Sequence, residues 1–444
     1  MTQFRPLILS LLTLALGAAL ATPVHAQNLL ELVESARGYD TAVQSARAQL
    51  DATSRRADQA RAGLLPSAAL TSGLNRLSVD LNRPSVQNIG NVQTLGINAS
   101  QPLYRPANRI TLQQGERSVN IAQAQLDAAL QDLLVRASQA YFEVLAAQDT
   151  LTFVQAQKAA VSEQLASAKR NFEVGTTTVT DSREAQARYD LVLAQEIAAD
   201  NDLRVKRLAL DQLVGQTGAQ PQPLALPVQV PTVLPDNVAS WVDTAREQQP
   251  GVRQAVIALD IARLETQKAQ TGHLPTVDLQ AGYNVTRNLN GTITAPGVSN
   301  RTNSASVGLA LNLPLFAGFS VQNRIKETVA LEEKATADLE TTRRTVAQAT
   351  RTAFFGVQSG QGQVQALEAA EASSQSALDA NKLGYQVGVR INIDVLNAQS
   401  QLFQTKRDLA QARYNVLLST LRLRQAAGTL TLDDVQAINA LLVK

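Results

Sequence analysis

The side chains that covalent chemistry needs are almost absent from this chain. It has no cysteine and two histidines, His25 and His273. Thiolate metal sites, disulfides and cysteine nucleophiles are thereby excluded. His273 sits in Gly272-His273-Leu274-Pro275, a helix-to-strand turn, and reads as a turn residue rather than a ligand. No zinc-protease, P-loop, serine-hydrolase or dinucleotide fingerprint occurs, so neither an enzyme nor a cofactor is expected. The charged residues with a repeated setting are Asp181 and Asp394, in Gly175-x-x-x-x-x-Asp181 and Gly388-x-x-x-x-x-Asp394. A glycine free to take positive φ ends a helix. A carboxylate just beyond it caps the next helix and suits its dipole. Local sequence leaves two readings open: plain caps, or charges with work of their own. The pairs Arg55-Arg56 and Arg343-Arg344 read as solvated helix faces.

Residues 1–26 have the pattern of an export signal. Arg5 supplies the positive start, Leu7 to Leu20 carry no charge, and Val24-His25-Ala26 ends in a small residue. The mature chain is expected to begin at Gln27. No later segment approaches 18 uninterrupted apolar residues, as a membrane-spanning helix would need, so entry into a membrane would require a closed barrel. The net charge of +2 provides no field for a nucleic-acid partner. Aromatic residues make up only 4%, and the abundant Ala and Gln suit long, closely packed helices.

The chain repeats itself. Ala140-Tyr141-Phe142-Glu143-Val144 matches Ala353-Phe354-Phe355-Gly356-Val357, and Phe172-Glu173-Val174-Gly175 matches Tyr385-Gln386-Val387-Gly388. Asp181 matches Asp394, Leu210 matches Leu423 and Gly215 matches Gly428, all at a constant spacing of 213 residues. A fixed spacing over so many positions means two copies of one unit. The expected division is an export segment 1–26, a first repeat 27–215, a proline-rich linker 216–237, a second repeat 238–428 and a tail 429–444. The linker holds Pro221, Pro223, Pro227, Pro231 and Pro235, cannot be helical, and is expected to run extended along the outside.

Each repeat contains two stretches with the period-2 alternation of a strand: about 66–81 and 92–104, then about 275–287 and 304–316. Val277, Leu279, Ala281, Tyr283 and Val285 alternate with Asp278, Gln280, Gly282, Asn284 and Thr286. In the first stretch the phase slips between Leu74 and Leu77, which suggests a bulge. Residues 82–91 and 288–303, rich in Asn, Gly, Pro and Thr, read as exposed loops. Stretches of about ten residues suit tilted strands crossing a bilayer. Four strands cannot close a membrane barrel, so two or three copies would be needed, and a water-filled conduit favours three. A soluble sheet packed on helices would show the same alternation. Tyr104, Tyr283, Phe316 and Phe319 fit either an interfacial girdle or ordinary packing.

Long proline-free stretches, Ala107 to Asn171 and Ala317 to Gln386, are flanked by stretches about half as long, Asn28 to Ala62 and Ser182 to Val214. At about 1.5 Å per residue the long ones would reach roughly 100 Å. Ile121, Ala124, Ala128, Leu134 and Val135 show heptad-like spacing. Two short helices placed end to end would match one long helix, which suggests antiparallel helices in a tall cylinder.

Phe172-x-Val-Gly-x-x-x-x-x-Asp181 and Tyr385-x-Val-Gly-x-x-x-x-x-Asp394-Val-Leu-x-Ala-Gln399, with strand starts at Pro66 and Pro275 and strand ends at Tyr104 and Phe316, resemble the TolC family of outer-membrane channels. The resemblance runs from about Asn28 to Gly428. It implies an α+β membrane protein forming a homotrimer. Four strands per protomer would build a twelve-stranded barrel in outer-membrane lipid, continued by a helical barrel in the periplasm. It implies an exit duct for efflux or type I secretion, working with a periplasmic adaptor and an inner-membrane transporter. The turns at Gly175 and Gly388 would form the periplasmic tip that closes the duct. In similar proteins a tyrosine and an arginine of the second turn bind a threonine–aspartate pair of the first; the matching residues are Tyr385, Arg390, Thr180 and Asp181. Of two acidic positions that narrow the family's lumen, Asp394 matches the first, whereas Asn397 stands at the second, so one acidic ring is absent. A coiled-coil scaffold or adhesin would explain the helices but not the duplicated strand pairs.

Overall fold

The computed structural model describes residues 27–443 except 83–84, 226, 229–233 and 293–294. The export segment expected at 1–26 lies outside the described residues. In chain order the helices are α1 (Leu29–Tyr39), α2 (Thr41–Ala62), α3 (Pro106–Glu173), α4 (Val179–Val214), α5 (Val238–Gln248), α6 (Pro250–Gln270), α7 (Ser320–Gln386), α8 (Asn392–Ala427) and α9 (Leu432–Asn439). The strands are β1 (Ser67–Asn82), β2 (Ser85–Tyr104), β3 (Thr276–Asn288), the short pair β4 (Gly291–Thr292) and β5 (Ala295–Pro296), and β6 (Asn300–Asn312). Contacts divide the chain into two compact units, each drawn from both sequence halves. One takes in the chain up to Gln44, Ala129–Gln249 and Val346–Lys444; the other comprises Ser45–Ala128 and Pro250–Thr345.

The second unit carries an antiparallel sheet in the order β1-β2-β3-β6. Register aligns the apolar residues into one face: Leu70 stands opposite Ile97, Ile97 opposite Tyr283, Leu95 opposite Val285, Leu279 opposite Leu309 and Val277 opposite Leu311. Leu70, Leu74, Ile97, Val307, Leu309 and Leu311 are all more than half exposed on it. The other face carries Thr71, Thr94, Gly96, Asn98, Gly282, Asn284, Ser304 and Ser306. Cross-strand polar contacts run along it, as where Asn98 donates to Thr71 Oγ1 at 3.3 Å and Ser304 to the Asn284 carbonyl at 3.4 Å. A side chain on Gly96 would displace the amide of Asn284, so the close approach there requires glycine. Arg105, just past β2, holds Asp278 of β3 with two donors at 2.8 and 2.6 Å, joining the last strand of one repeat to the first of the other.

Three sequence expectations about the sheet are corrected. The loop expected at 82–91 is largely strand: β1 and β2 stay in register from Ser67–Ser100 to Asn82–Ser85. No bulge interrupts Leu74 to Leu77; the irregularity is between Pro102 and Tyr104, against β3. The loop expected at 288–303 contains the β4–β5 pair, and β6 already begins at Asn300 and ends at Asn312 rather than at 316. Among the described residues no helix is long and apolar enough to cross a membrane.

In the same unit, Glu265 of α6 accepts from Gln114 of α3 at 2.8 Å, from Lys268 at 2.9 Å and from Arg324 of α7 at 2.7 Å. Burial opposes its charge, but these three donors outweigh that and hold the carboxyl at about 2, down from 4.5. The folded value lies below the unfolded one. Its stabilising contribution is therefore present above pH 4.5 and is lost as pH falls toward 2. Glu265→Gln is expected to cost about 1–3 kcal/mol at pH 7, read as a lowered Tm. The gap to wild type should shrink between pH 5 and 2; a gap of constant size across that range would remove Glu265 from this role.

The first unit is held by apolar residues at seven-residue spacing. On α8, Val395, Leu402, Leu409, Val416 and Leu423 are all buried. Val154, Val161 and Ala168 repeat the spacing on α3, and Ala185, Val192 and Ala199 on α4. A strict seven-residue repeat keeps one seam against its neighbours only if the helices supercoil left-handedly. The stretch expected as one helix over 28–62 is broken at Asp40, whose carboxylate accepts from the Val43 N–H at 2.9 Å and from Arg136 at 3.0 Å. The linker is pinned rather than simply laid outside. Gln27 bridges Pro221, Leu224 bridges Leu442, and Ala219 and Leu224 are buried. The fully buried Tyr141 donates its hydroxyl to the Gln222 carbonyl at 2.9 Å. The tail includes α9, opened by a capping box between Thr431 and Asp434.

Candidate functional site

The two glycine turns lie in the first unit and are built alike. After α3, Gly175 has φ 77°, its N–H reaches the Phe172 carbonyl at 3.0 Å, and the Thr176 N–H reaches the Asn171 carbonyl at 2.8 Å. After α7, Gly388 has φ 82°, its N–H reaches the Tyr385 carbonyl at 3.1 Å, and the Val389 N–H reaches the Gly384 carbonyl at 2.9 Å. Both are the helix ending in which a left-handed residue lets two N–H groups satisfy the last carbonyls. Neither glycine has a neighbour that an added Cβ would strike, so the positive φ alone demands glycine at each turn.

The turns part company at the next helix. Thr178 is the N-cap of α4 and forms a capping box with Asp181. The Asp181 carboxylate accepts from the Thr178 N–H at 3.1 Å and hydroxyl at 3.0 Å, and the Asp181 N–H donates back to the Thr178 hydroxyl at 3.3 Å. In the second repeat Ile391 occupies the N-cap and cannot close such a box. Asp394 is thus not the backbone cap that its spacing suggested. Its carboxylate faces the Arg390 guanidinium at 3.6 Å. The stem of Arg390 lies across Gly384, where a side chain would collide with it.

Thr180 is exposed in the first turn of α4. Tyr385 is half-buried, and its hydroxyl accepts from Asn171 Nδ2 at 3.5 Å. Among the described residues, neither Tyr385 nor Arg390 is bonded to Thr180 or Asp181 within one chain. Asn397 is exposed and its side-chain oxygen accepts from Arg188 of α4 at 2.9 Å. Arg390, Asp394 and Asn397 line an open polar groove of about 610 Å³ with Ser373, Asn381 and Gln401.

Sequence reading missed the residues that tie the two turns together. Asn392, first residue of α8, is 1% exposed. It donates Nδ2 to the Asp181 carbonyl at 3.4 Å and accepts from Gln164 of α3. Around it Val161, Leu165, Ala168, Ala185 and Leu396 form one apolar cluster joining α3, α4 and α8. The repeat offers a signal for Asn392, because its counterpart in the first half is the apolar Val179.

This arrangement positions charge and polar groups on two joined turns; it contains no nucleophile–base pair. Comparison with known proteins gives it a setting. The outer membrane efflux protein family matches residues 32–216 and again 241–429. Outer membrane protein TolC of Vibrio cholerae is 36% identical over 435 residues, covering 97% of this chain and 98% of that protein. The alkaline protease secretion protein AprF of Pseudomonas aeruginosa is 30% identical over 355 residues, 79% of this chain and 72% of its own. The crystal structure of the Vibrio cholerae outer membrane protein VceC shares the fold with a TM-score of 0.75 at 20% identity, covering 90% of this chain and 96% of that one. The chain belongs to the outer membrane efflux protein family, whose members reside in the outer membrane and serve as exit ducts for efflux or secretion.

Proposed function

We propose that three copies of this chain close into one conduit, a twelve-stranded barrel in lipid whose helices form the periplasmic part. The observation that carries this reading is the two-faced sheet. One face is apolar and exposed, the other is polar, and among the described residues β1 pairs only with β2 and β6 only with β3. Open strand edges cannot stand in hydrocarbon, where no water satisfies their N–H and C=O groups. Pairing the β6 edge of one copy with the β1 edge of the next removes them all. With twelve strands the polar face lines a lumen wide enough for water.

In this reading the two repeats each supply one hairpin and one glycine turn. The turns form the periplasmic tip, and three copies of Asp394 bring like charges to one constriction. Arg390 tempers that charge, and Asn397, bonded to Arg188, contributes none. Between copies, Tyr385 and Arg390 reach Thr180 and Asp181 of the neighbour and hold the tip closed. Cargo would arrive from an inner-membrane transporter through a periplasmic adaptor that docks at this end. AprF is named for secretion of a protease, which makes secretion as well as efflux a role to test here.

The test is to purify the protein from the outer membrane in detergent, measure its mass by light scattering and record from planar bilayers. A mass of three chains with discrete current steps is expected. A monomer, or a trimer that inserts without conducting, would overturn the reading.

A further inference from the structure

The apolar face of the sheet ends in arginines. Arg76 of β1, Arg287 of β3 and Arg301 of β6 share the parity of Leu74, Val285 and Val307 and therefore lie on that same face. All three are exposed. They sit toward the end of the strands where the β1–β2 and β3–β6 connections lie. From Arg301 to Leu311 the strand runs about 33 Å at 3.3 Å per residue. A tilt of about 40° shortens that to about 25 Å, the height of an outer-membrane apolar band. The arginines thus mark the far rim of the band.

Arg287 and Arg301 are direct register partners. Like charges placed opposite one another in a sheet repel. Among the described residues neither these two nor Arg76 pairs with a carboxylate; Arg301 Nε donates to Asn303 at 3.1 Å. In β1, Asp80 lies four residues beyond Arg76, about 13 Å along a strand. Below the arginine pair, Leu74, Leu95 and Val285 line an open concavity of about 480 Å³ with Ser72 and Gln93. Arg287 and Arg301 form one side of this concavity, and Leu74, Leu95 and Val285 lie among its polar neighbours; a cationic edge beside apolar side chains is complementary to a phosphate attached to acyl chains. Guanidinium groups also bind phosphate with two donors each.

We propose that Arg287 and Arg301 bind the phosphate of an outer-leaflet glycolipid against the outer wall of the barrel, with Arg76, two strands across and two residues along from Arg287 and so about 12 Å from it, as a flanking cation. This rests on the reading that the apolar face meets lipid. The bound phosphate neutralises the opposed pair and fixes the depth at which the barrel sits. It gives the channel a preference for a leaflet rich in phosphorylated glycolipid.

The test titrates the purified wild-type trimer in detergent with lipid A, with dephosphorylated lipid A and with inorganic phosphate, reading bound lipid by native mass spectrometry. Lipid A is expected to bind, the dephosphorylated form much more weakly, and inorganic phosphate at equal concentration not to compete. R287Q with R301Q should weaken lipid A binding roughly thirtyfold. Trimer mass and current steps must persist in the double variant, and R287Q alone serves if the double variant does not assemble. Equal binding of both lipids, or full competition by inorganic phosphate, overturns the site. If the wild type conducts but shows no phosphate preference, only this site falls. If the wild type forms neither trimer nor channel, the underlying reading falls with it.

Discussion

Val307→Arg is expected to abolish the membrane-inserted form of this protein, whereas Ser306→Arg, one residue away, should leave it intact. Val307 is 79% exposed and stands opposite Ala281 midway along the apolar face. Ser306 stands opposite Gly282 on the polar face. An arginine at the bilayer midplane of an outer-membrane barrel costs about 2–4 kcal/mol. Repeated in three copies, that is roughly 6–12 kcal/mol, comparable with the whole stability of a folded domain. In the proposed barrel the serine position faces water in the lumen, so a charge there should change ion selectivity without reducing insertion. Quantifying each variant in isolated outer membranes gives the first answer and single-channel selectivity the second. Wild-type insertion of Val307→Arg would show that this face does not meet lipid.

The second large effect concerns the turns. Asp181→Ala with Arg390→Ala should raise single-channel conductance several-fold. Each substitution also has a local consequence. Losing the Asp181 carboxylate opens the capping box with Thr178, worth about 1 kcal/mol. Losing Arg390 leaves Asp394 without its neighbour at 3.6 Å. The two residues do not touch within one chain, so purely local effects should add. Residues bonded to each other across two copies would instead show a coupling term in a double-mutant cycle. Coupled effects with raised conductance identify a latch between copies. Additive effects confine both residues to their own turns, and unchanged conductance in the double variant ends the latch proposal.

What could be read from the chain before its structure follows a physical boundary. Alternation located the strands over 68–74, 95–99, 277–285 and 305–311 because the sheet there has one apolar and one polar face, and successive residues turn to each in alternation. The same rule failed at 85–91. Ser85-Val86-Gln87-Asn88-Ile89-Gly90-Asn91 has the composition of a loop, yet its backbone ladder with β1 continues unbroken. Beyond the apolar band neither face need be apolar, so pairing persists without alternation. The phase slip at Leu74–Leu77 has the same origin and is not a bulge. The helix break at Asp40 went unread although Gly38 stands two residues before it, because what fixes it is a carboxylate that caps α2 and meets Arg136, a residue 96 positions away. At the turns, Gly175 and Gly388 announced themselves through a conformation that few residues adopt. The pairing of Asn392 with Gln164 did not, since 228 positions separate them.

The Gly96–Asn284 contact has a counterpart two residues along: β2 reads Gly96-Ile97-Asn98, β3 reads Gly282-Tyr283-Asn284, and antiparallel register sets each glycine opposite the other strand's asparagine. A side chain on Gly282 would meet Asn98, as one on Gly96 would meet Asn284. The four positions therefore form a closed set spanning the joint between the two repeats. Because each glycine makes room for the other strand's asparagine, neither strand can change alone here. A larger residue in one strand would be admissible only after a smaller one had arisen in the other. Among relatives, these sites should change in concert, as one unit of sequence shared between two strands.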